Sequence, residues 1–303
     1  MNTPETAAVP ANNTPPPRRW PRRILRFLMI YVCVPCVSVL LILVLAQRRL
    51  IYHPSATAPL SVKDAGLGDG LAEDVQLETA DGETLHGWMI HPHPPTGDPA
   101  NRPLVIYFPG NAGHRLERLA DLREVASAGF DVLVFDYRGY ADSTGSPSQA
   151  SLERDARQVW DYACTLRAPG RIVIFGESLG GAVALSLWSD EHRALPTPAA
   201  VILNSTFTGM ADVVRWHYPW LPLHFFLLDP WPSAERIPRV ECPVTIFHGT
   251  DDDLVPVSHG RTLARLARQS HFVEIPHGTH NNIPMGQLRA ALLAIRAEIL
   301  GLQ

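Results

Sequence analysis

The sequence predicts an α/β fold, in which helices cover both faces of a mostly parallel β-sheet and one membrane-spanning helix precedes the domain. Short apolar runs alternate along the chain with amphipathic stretches, a pattern that favours a parallel sheet. An Asp-Gly pair between two alternating segments indicates an antiparallel hairpin at the front of this sheet. An uncharged run of about 20 residues near the N-terminus matches the thickness of a bilayer.

The N-terminus predicts a tail followed by a membrane anchor. Residues 1–26 are rich in Pro, Asn and Thr and bury too little apolar surface to offset the entropy of ordering, so we expect a disordered tail. Residues 27–47 form the predicted anchor, which contains the apolar run Phe27–Ala46. A cleaved signal peptide is the alternative, because Val44-Leu45-Ala46 resembles a cleavage site, but the run is longer than the usual signal core.

Arginines flank this anchor unequally, which predicts its orientation. Those before the run are Arg18, Arg19, Arg22, Arg23 and Arg26, and those after it are Arg48 and Arg49. Because the more basic flank usually stays in the cytoplasm, we expect a single-pass membrane protein. Its main domain is expected on the non-cytoplasmic side, which is periplasmic, extracellular or lumenal.

Eight strand-like runs follow the anchor. They are Val75–Thr79, Thr84–Ile90, Leu104–Phe108, Val132–Phe135, Ile172–Phe175, Ala200–Leu203, Val244–Phe247 and Phe272–Ile275. Amphipathic stretches such as Leu152–Leu166, His259–Ala267 and Gln287–Ile299 predict helices. Since the sequence has no internal repeat, the pattern predicts one α/β domain over residues 50–303.

Residues 208–240 are too long for an ordinary connection and predict a possible cap. The segment is broken by prolines and is rich in aromatic side chains, which are Trp216, Tyr218, Trp220, Phe225, Phe226 and Trp231. One interpretation is a helical cap over a pocket. The other is a crossover helix whose aromatic edge packs on the sheet.

Composition argues against several kinds of site. A net charge of −4 and a pI near 6.3 give no sign of the basic face that binds nucleic acid. The four cysteines form no C-x-x-C pair outside the anchor, so neither a zinc site nor a disulfide framework is indicated. His91 and His93 lie among prolines without a third ligand, and we interpret them as surface-loop residues rather than a metal site.

A glycine-flanked serine follows the fifth predicted strand. Residues 176–180 read Gly-Glu-Ser-Leu-Gly and precede a helix-like stretch. Glycines allow the sharp strand-to-helix turn that projects a serine hydroxyl, so Ser178 is the predicted nucleophile. The alternative is a glycine-rich turn that only packs a helix on a strand.

A second glycine-rich loop follows the third predicted strand. Residues 108–113 read Phe-Pro-Gly-Asn-Ala-Gly, and their small side chains let backbone N–H groups approach a substrate. Two fixed donors stabilise the negative charge that develops during acyl transfer. The predicted donors of this oxyanion hole are the backbone amides of Leu179 and Asn111, and an ordinary β-turn is the alternative.

Acid and base candidates lie on the last two loops. Asp251, Asp252 and Asp253 follow the seventh predicted strand, and a buried carboxylate is needed to orient a histidine. His277 and His280 follow the eighth, which gives the chain order Ser, Asp, His that accompanies a serine turn of this kind. We expect His280 to be the base and His277 a solvated loop residue.

With these motifs the chain resembles the α/β-hydrolase superfamily, and within it the membrane-anchored, serine-aminopeptidase-like branch that includes protein depalmitoylases. The resemblance runs from about Arg49 to the end, with landmarks Leu-Ile-Tyr-His-Pro at 50–54, Pro-Gly-Asn-Ala-Gly at 109–113, Asp-Tyr-Arg-Gly-Tyr at 136–140 and the serine turn. By the spacing of the H-G-x-x-D-x-x-V-P motif, the resemblance implies Asp252 as the acid. The terminal G-x-G-H motif implies His280 as the base.

Departures from the family pattern bear on the substrate. Pro109 stands where many relatives have His, and Asn282 stands where depalmitoylase-like members often carry Asp. Neither removes a catalytic group, but the second weakens the transfer of a depalmitoylase substrate.

These observations predict a membrane-anchored serine hydrolase that cleaves a carboxylic ester or thioester through an acyl-enzyme on Ser178, without a metal or organic cofactor. Its expected partners are a small-molecule or lipid-like acyl substrate and the membrane. A serine peptidase or aminopeptidase-like amide hydrolase is one alternative. An inactive membrane scaffold is another, against which the intact Ser, Asp and His argue.

Overall fold

The structure is a computed structural model that describes residues 22–68, 70–94, 98–189, 195–281 and 285–302. The chain separates into two compact units, Met1–Leu43 and Val44–Gln303. Residues 1–21 of the predicted disordered tail lie outside the described residues, and so does Asn282. The prediction was wrong for residues 22–26, which are helical.

One helical segment, Ile24–Ile51, is long and apolar enough to span a membrane. It consists of α1 (Arg22–Leu28), a π-helical turn (Met29–Cys33) and α2 (Val34–Ile51). The π-helical turn lies just before Pro35, which has no N–H to donate and whose ring crowds the preceding turn of an α-helix. The boundary between the two units falls within α2, so its last turns belong to the second unit.

The second unit is built on an eight-stranded sheet with the order β1-β2-β4-β3-β5-β6-β7-β8. Its strands are β1 (Ala72–Glu78), β2 (Thr84–Ile90), β3 (Leu104–Phe108), β4 (Asp131–Phe135), β5 (Ile172–Glu177), β6 (Ala200–Asn204), β7 (Val244–Gly249) and β8 (Ser270–Ile275). β2 pairs antiparallel with β1 and β4, and the remaining pairs are parallel. The mostly parallel, eight-stranded sheet predicted from the sequence is therefore confirmed.

Helices cover both faces of this sheet. They are α3 (Leu119–Ser127), α4 (Gln149–Leu166), α5 (Leu179–Ser186), α6 (Met210–His217), α7 (Ser233–Arg236), α8 (Ser258–Leu266) and α9 (Met285–Leu300). One apolar core contains α4, α5 and α8 side chains, and the other contains α3 and α9 side chains. Strands β3 to β6 are buried on both faces, which explains their continuous apolar sequences.

Two residues considered in the sequence, Arg138 and His91, form ion pairs with buried carboxylates. The Arg138 guanidinium donates to Asp155 at 2.5 Å and to Asp81 at 2.9 Å, so it ties the β1–β2 turn to α4. His91 does not stand free on the surface, because its Nδ1 lies 2.8 Å from the buried Asp131 carboxylate. His93 is exposed.

Residues 208–240 fold as α6, a 3-10 turn at Pro222–Phe226, α7 and a second 3-10 turn at Ile237–Arg239. Trp231 is fully buried in the core that contains α4, α5 and α8 side chains. The other aromatic side chains, Trp216, Tyr218, Trp220, Phe225 and Phe226, are exposed. The second interpretation, in which the aromatic side chains pack into the core, therefore applies to Trp231 and not to the other five.

The last turn of α2 is joined to this same segment within the second unit. The Gln47 side chain donates to the Phe226 carbonyl at 3.2 Å and accepts from the Leu228 amide at 2.7 Å. Arg48 forms an ion pair of 3.0 Å with Asp229, a carboxylate that is nearly inaccessible to solvent. The end of the apolar helix is thus fastened to the aromatic segment by side chains.

Candidate active site

Ser178 occupies a strained turn between β5 and α5. Its backbone has φ 52° and ψ −115°, a region that non-glycine residues rarely adopt. A Cβ at Gly180 would lie 2.0 Å from the Phe108 carbonyl oxygen, and one at Gly176 would lie 2.5 Å from the Gly180 carbonyl oxygen. Only glycine fits both positions, so the spacing of the motif follows from the close approach of β3, β5 and α5.

His280 joins the Ser178 hydroxyl to a buried carboxylate. Its Nε2 lies 2.9 Å from Ser178 Oγ, and its Nδ1 lies 2.8 Å from Asp252 Oδ2. Because an ionised carboxylate can only accept, Nδ1 carries the proton on this side. In the neutral ring Nε2 is then an acceptor, and the Ser178 hydroxyl donates to it.

Asp252 is held ionised by the donors around it. Its Oδ1 accepts from the backbone amides of Leu254 at 3.0 Å and Val255 at 2.8 Å. Its Oδ2 lies 3.4 Å from Nε2 of the buried His248. Burial by itself would raise the pKa of this carboxyl, but the hydrogen bonds from His248, His280 and the Val255 amide outweigh burial and hold the pKa well below its usual value.

The rival acid and base residues lie outside this arrangement. Asp251 and Asp253 are exposed, whereas Asp252 is buried. Nδ1 of His277 lies 3.2 Å from Asp251, in a pair that faces solvent. Of the candidates on these two loops, the structure brings Asp252 and His280 together with Ser178.

The glycine-rich loop after β3 is fixed at Asn111. The Asn111 carbonyl oxygen accepts from the Tyr140 hydroxyl at 2.8 Å and from the His53 amide at 3.1 Å. Its side-chain amide donates to the Ile51 carbonyl oxygen at 3.0 Å. Leu179, the other predicted donor, is the first residue of α5 and follows Ser178 directly.

Sequence reasoning did not identify His248 or Tyr140 as parts of the site. Nε2 of His248 lies 2.7 Å from the Val255 carbonyl oxygen, so this ring braces the loop that carries Asp252. Both residues stand inside recognised motifs, at the start of H-G-x-x-D and at the end of Asp-Tyr-Arg-Gly-Tyr. Their position within those motifs was the only feature of the sequence that could have identified them.

The aromatic segment contacts the acid loop. Nε2 of His217, at the end of α6, lies 2.9 Å from the carbonyl oxygen of Leu254, which is two residues after Asp252. The segment 208–240 thus lies between the loop of the candidate acid and the end of the apolar helix. Across the described ranges, no cluster of three or more His, Cys, Asp or Glu side chains has a metal-binding arrangement.

Comparison with known proteins identifies the family. The model of a family described as serine aminopeptidase, S33, matches residues 99–234. An uncharacterized protein of Mycobacterium tuberculosis is 42% identical over 253 residues, covering 82% of this chain and 86% of the relative. The alpha/beta hydrolase domain-containing protein WAV2 of Arabidopsis thaliana is 31% identical over 264 residues, which cover 79% of this chain and 82% of that relative. The chain belongs to the α/β-hydrolase family.

Two further similarities concern proteins with a named activity. Lysophosphatidylserine lipase ABHD12 of Rattus norvegicus is 34% identical over 189 residues, which cover 56% of this chain and 47% of that protein. An esterase of Pyrococcus furiosus matches in structure with a TM-score of 0.59 and 17% identity, covering 83% of this chain and 98% of the esterase. At that identity the second likeness shows the fold alone.

Proposed function

We propose that this protein is a membrane-anchored serine hydrolase that cleaves a carboxylic ester or thioester, with Ser178 as nucleophile, His280 as base and Asp252 as the orienting acid. The single observation that carries this proposal is the position of His280, which contacts Ser178 Oγ with one ring nitrogen and Asp252 with the other. Membership of a hydrolase family supports the same reading.

The proposed reaction follows from this geometry. Nε2 of His280 takes the proton of Ser178 as Oγ attacks the acyl carbonyl, and Asp252 stabilises the imidazolium that results. The backbone amides of Leu179 and Asn111 donate to the oxyanion. His280 then protonates the leaving group, and a water molecule activated by the same ring releases the acyl group from Ser178.

A lipid-like substrate is supported by the surroundings of the site. One relative is a lysophosphatidylserine lipase by name. Several aromatic side chains of residues 208–240 are exposed, and His217 of the same segment contacts the acid loop. Aromatic residues provide apolar contact area that is compatible with a membrane interface. We therefore propose residues 208–240 as a cap that receives an acyl chain.

Membrane anchoring and orientation belong to the same proposal. The helix Ile24–Ile51 has the length and composition of a span, and the arginine-rich flank precedes it. We propose a non-cytoplasmic catalytic domain. Protease added to intact cells or spheroplasts should cut that domain, and protection there with cutting in inverted vesicles would reverse the orientation.

Matched substrates distinguish ester hydrolysis from amide hydrolysis. Amide hydrolysis is the second candidate, because the matching family is described as serine aminopeptidase. We expect the full chain in neutral detergent to cleave a decanoyl ester and a decanoyl thioester much faster than a decanoyl amide. The Ser178→Ala variant should cleave none of them. Faster cleavage of an aminoacyl amide than of either ester would favour a peptidase.

A further inference from the structure

A cavity of about 560 Å3 opens beside the end of α2 in the second unit. Its lining residues are Arg48, Arg49, Tyr52, His53, Pro54, Ser55, Ser146 and Pro147. Two guanidinium groups and the hydroxyl groups of Ser55 and Ser146 provide hydrogen-bond donors. The Tyr52 hydroxyl donates to Asp229 instead, and its ring and the two prolines form the apolar part of the lining. The catalytic proposal makes no use of this cavity.

Arg49 gives the cavity a net positive charge. The charge of Arg48 is balanced by Asp229, which accepts two hydrogen bonds from its guanidinium and one from the Tyr52 hydroxyl. Arg49 is exposed and adds a second guanidinium, for which the lining contains no carboxylate. Arginine binds phosphate well because its planar donors match the phosphate oxygens.

The carbonyl end of a helix normally repels anions, but the last carbonyl of α2 already accepts a hydrogen bond from outside the helix. The Ile51 carbonyl oxygen accepts from the Asn111 side-chain amide at 3.0 Å. This donor offsets part of the negative end of the helix dipole.

Two relationships indicate which anion fits. Arg48 and Arg49 are the first charged residues after the apolar run, so in a membrane-spanning helix they lie at the depth of lipid phosphates. The backbone amide of His53, which is also in the lining, donates a hydrogen bond to the carbonyl oxygen of Asn111, the proposed oxyanion-hole residue. The cavity thus adjoins both the headgroup region and the glycine-rich loop of the candidate site.

From these contacts we infer that the cavity binds the phosphate of a glycerophospholipid, with Arg49 as the principal donor. One source is the substrate, a lysophospholipid whose ester reaches Ser178 while its phosphate occupies the cavity, and this version rests on the proposed function. The other source is a phospholipid of the surrounding membrane, held beside the site without being cleaved.

A matched substrate pair tests the first source. The full chain in uncharged detergent is assayed on decanoylglycerol and on decanoylglycerol phosphate, which differ only in the phosphate. Arg49→Gln should lower kcat/KM for decanoylglycerol phosphate about tenfold, because one charge-assisted hydrogen bond to the phosphate is lost. The value of kcat/KM for decanoylglycerol should stay within about twofold. The control Arg123→Gln, which removes an exposed arginine of α3, should change neither value.

A non-hydrolysable ether phospholipid added to the micelles tests the second source. If a membrane lipid fills the cavity, this lipid should change the turnover of decanoylglycerol by the parent enzyme and not by Arg49→Gln. Inorganic phosphate provides the control for a free anion. Higher salt should weaken whichever effect is found.

Binding separates failure of this site from failure of the catalytic proposal. A fluorescent decanoylglycerol phosphate should bind the full-length Ser178→Ala protein about tenfold more tightly than the protein that also carries Arg49→Gln. If the parent enzyme cleaves neither ester but the tenfold difference in binding is found, the catalytic proposal is rejected and the phosphate site is retained. The inference is overturned if Arg49→Gln behaves like Arg123→Gln in turnover and in lipid response and also leaves the binding of the fluorescent lipid unchanged.

Discussion

The side-chain amide of Asn111 donates to the carbonyl oxygen of Ile51, the last residue of the apolar helix, at 3.0 Å. Asn111 is also the residue whose backbone amide is proposed to stabilise the oxyanion. The end of the helix therefore touches the loop of the proposed oxyanion hole, and His53 and Tyr140 donate to the Asn111 carbonyl oxygen in the same loop. We propose that this helix end positions the site, in addition to the anchoring role proposed above.

Asn111→Ala keeps the backbone amide and removes the bond to Ile51. We expect kcat on a decanoyl ester to fall about 10- to 100-fold with KM little changed, because a small displacement of an oxyanion donor acts in the transition state. Steady-state kinetics measure this effect. Asn101→Ala, which also removes one asparagine side-chain bond but lies on an exposed 3-10 turn, is the control. Equal kcat values for the two variants would reject the positioning role.

Two truncations test the contacts of Gln47 and Arg48. A chain that begins at Val44 keeps them, and one that begins at Leu50 leaves the buried Asp229 without its arginine. Loss of hydrogen bonds to a charged group costs about 2 kcal/mol, which corresponds to roughly 5 °C in Tm for a domain of this size. Thermal melts in the same detergent should show the longer chain to be more stable. Equal melting temperatures would mean that these contacts do not form in solution.

The three consecutive aspartates provide an internal comparison. Asp252→Asn replaces the acceptor of His280 Nδ1 by an amide that favours the wrong tautomer, a change that costs about 10,000-fold in a well-studied serine protease. Asp251→Asn and Asp253→Asn alter exposed side chains and should retain activity within about threefold. The measurement is kcat on one ester for all three variants. If Asp251→Asn were the severe variant, the assignment of the acid would be wrong.

Local patterns predicted much of this arrangement. The eight strands have short-range signals, because buried parallel strands need continuous apolar sequences and a hairpin needs its turn. Ser178 was recognisable because only glycines fit the close approaches around it. By contrast, the three aspartates have the same local sequence character, so only the spacing of the family motif favoured Asp252 in the sequence. In the structure, Asp252 is the one of the three that is buried.

Long-range contacts had no such signal. The bonds from Gln47 and Arg48 to residues 226–229 join positions about 180 apart in the chain, and nothing in either segment indicates the other. The sheet order, in which β4 lies between β2 and β3, also depends on tertiary packing. The same holds for His91, which follows β2 and whose partner Asp131 is the first residue of β4.

The exposed aromatic residues should set the preference for acyl length. Each buried CH₂ is worth about 0.8 kcal/mol, so kcat/KM is expected to rise from acetyl to at least octanoyl esters. Because Phe225 and Phe226 are 77% and 49% exposed, replacing both by Ala should flatten this rise without lowering Tm. Leu266→Ala with Leu293→Ala, two other exposed apolar side chains, is the control pair. A parent enzyme that prefers acetyl esters would reject the lipid-like substrate.

Covalent labelling by a fluorophosphonate tests the central claim most directly, because the probe reacts with a serine that an adjacent base activates. The intact mass of the full chain should increase by one adduct, and peptide mapping should locate it at Ser178. Ser178→Ala should take up no label at an unchanged melting temperature. Strong labelling of that variant at another serine, or no labelling of the folded parent enzyme, would contradict the account.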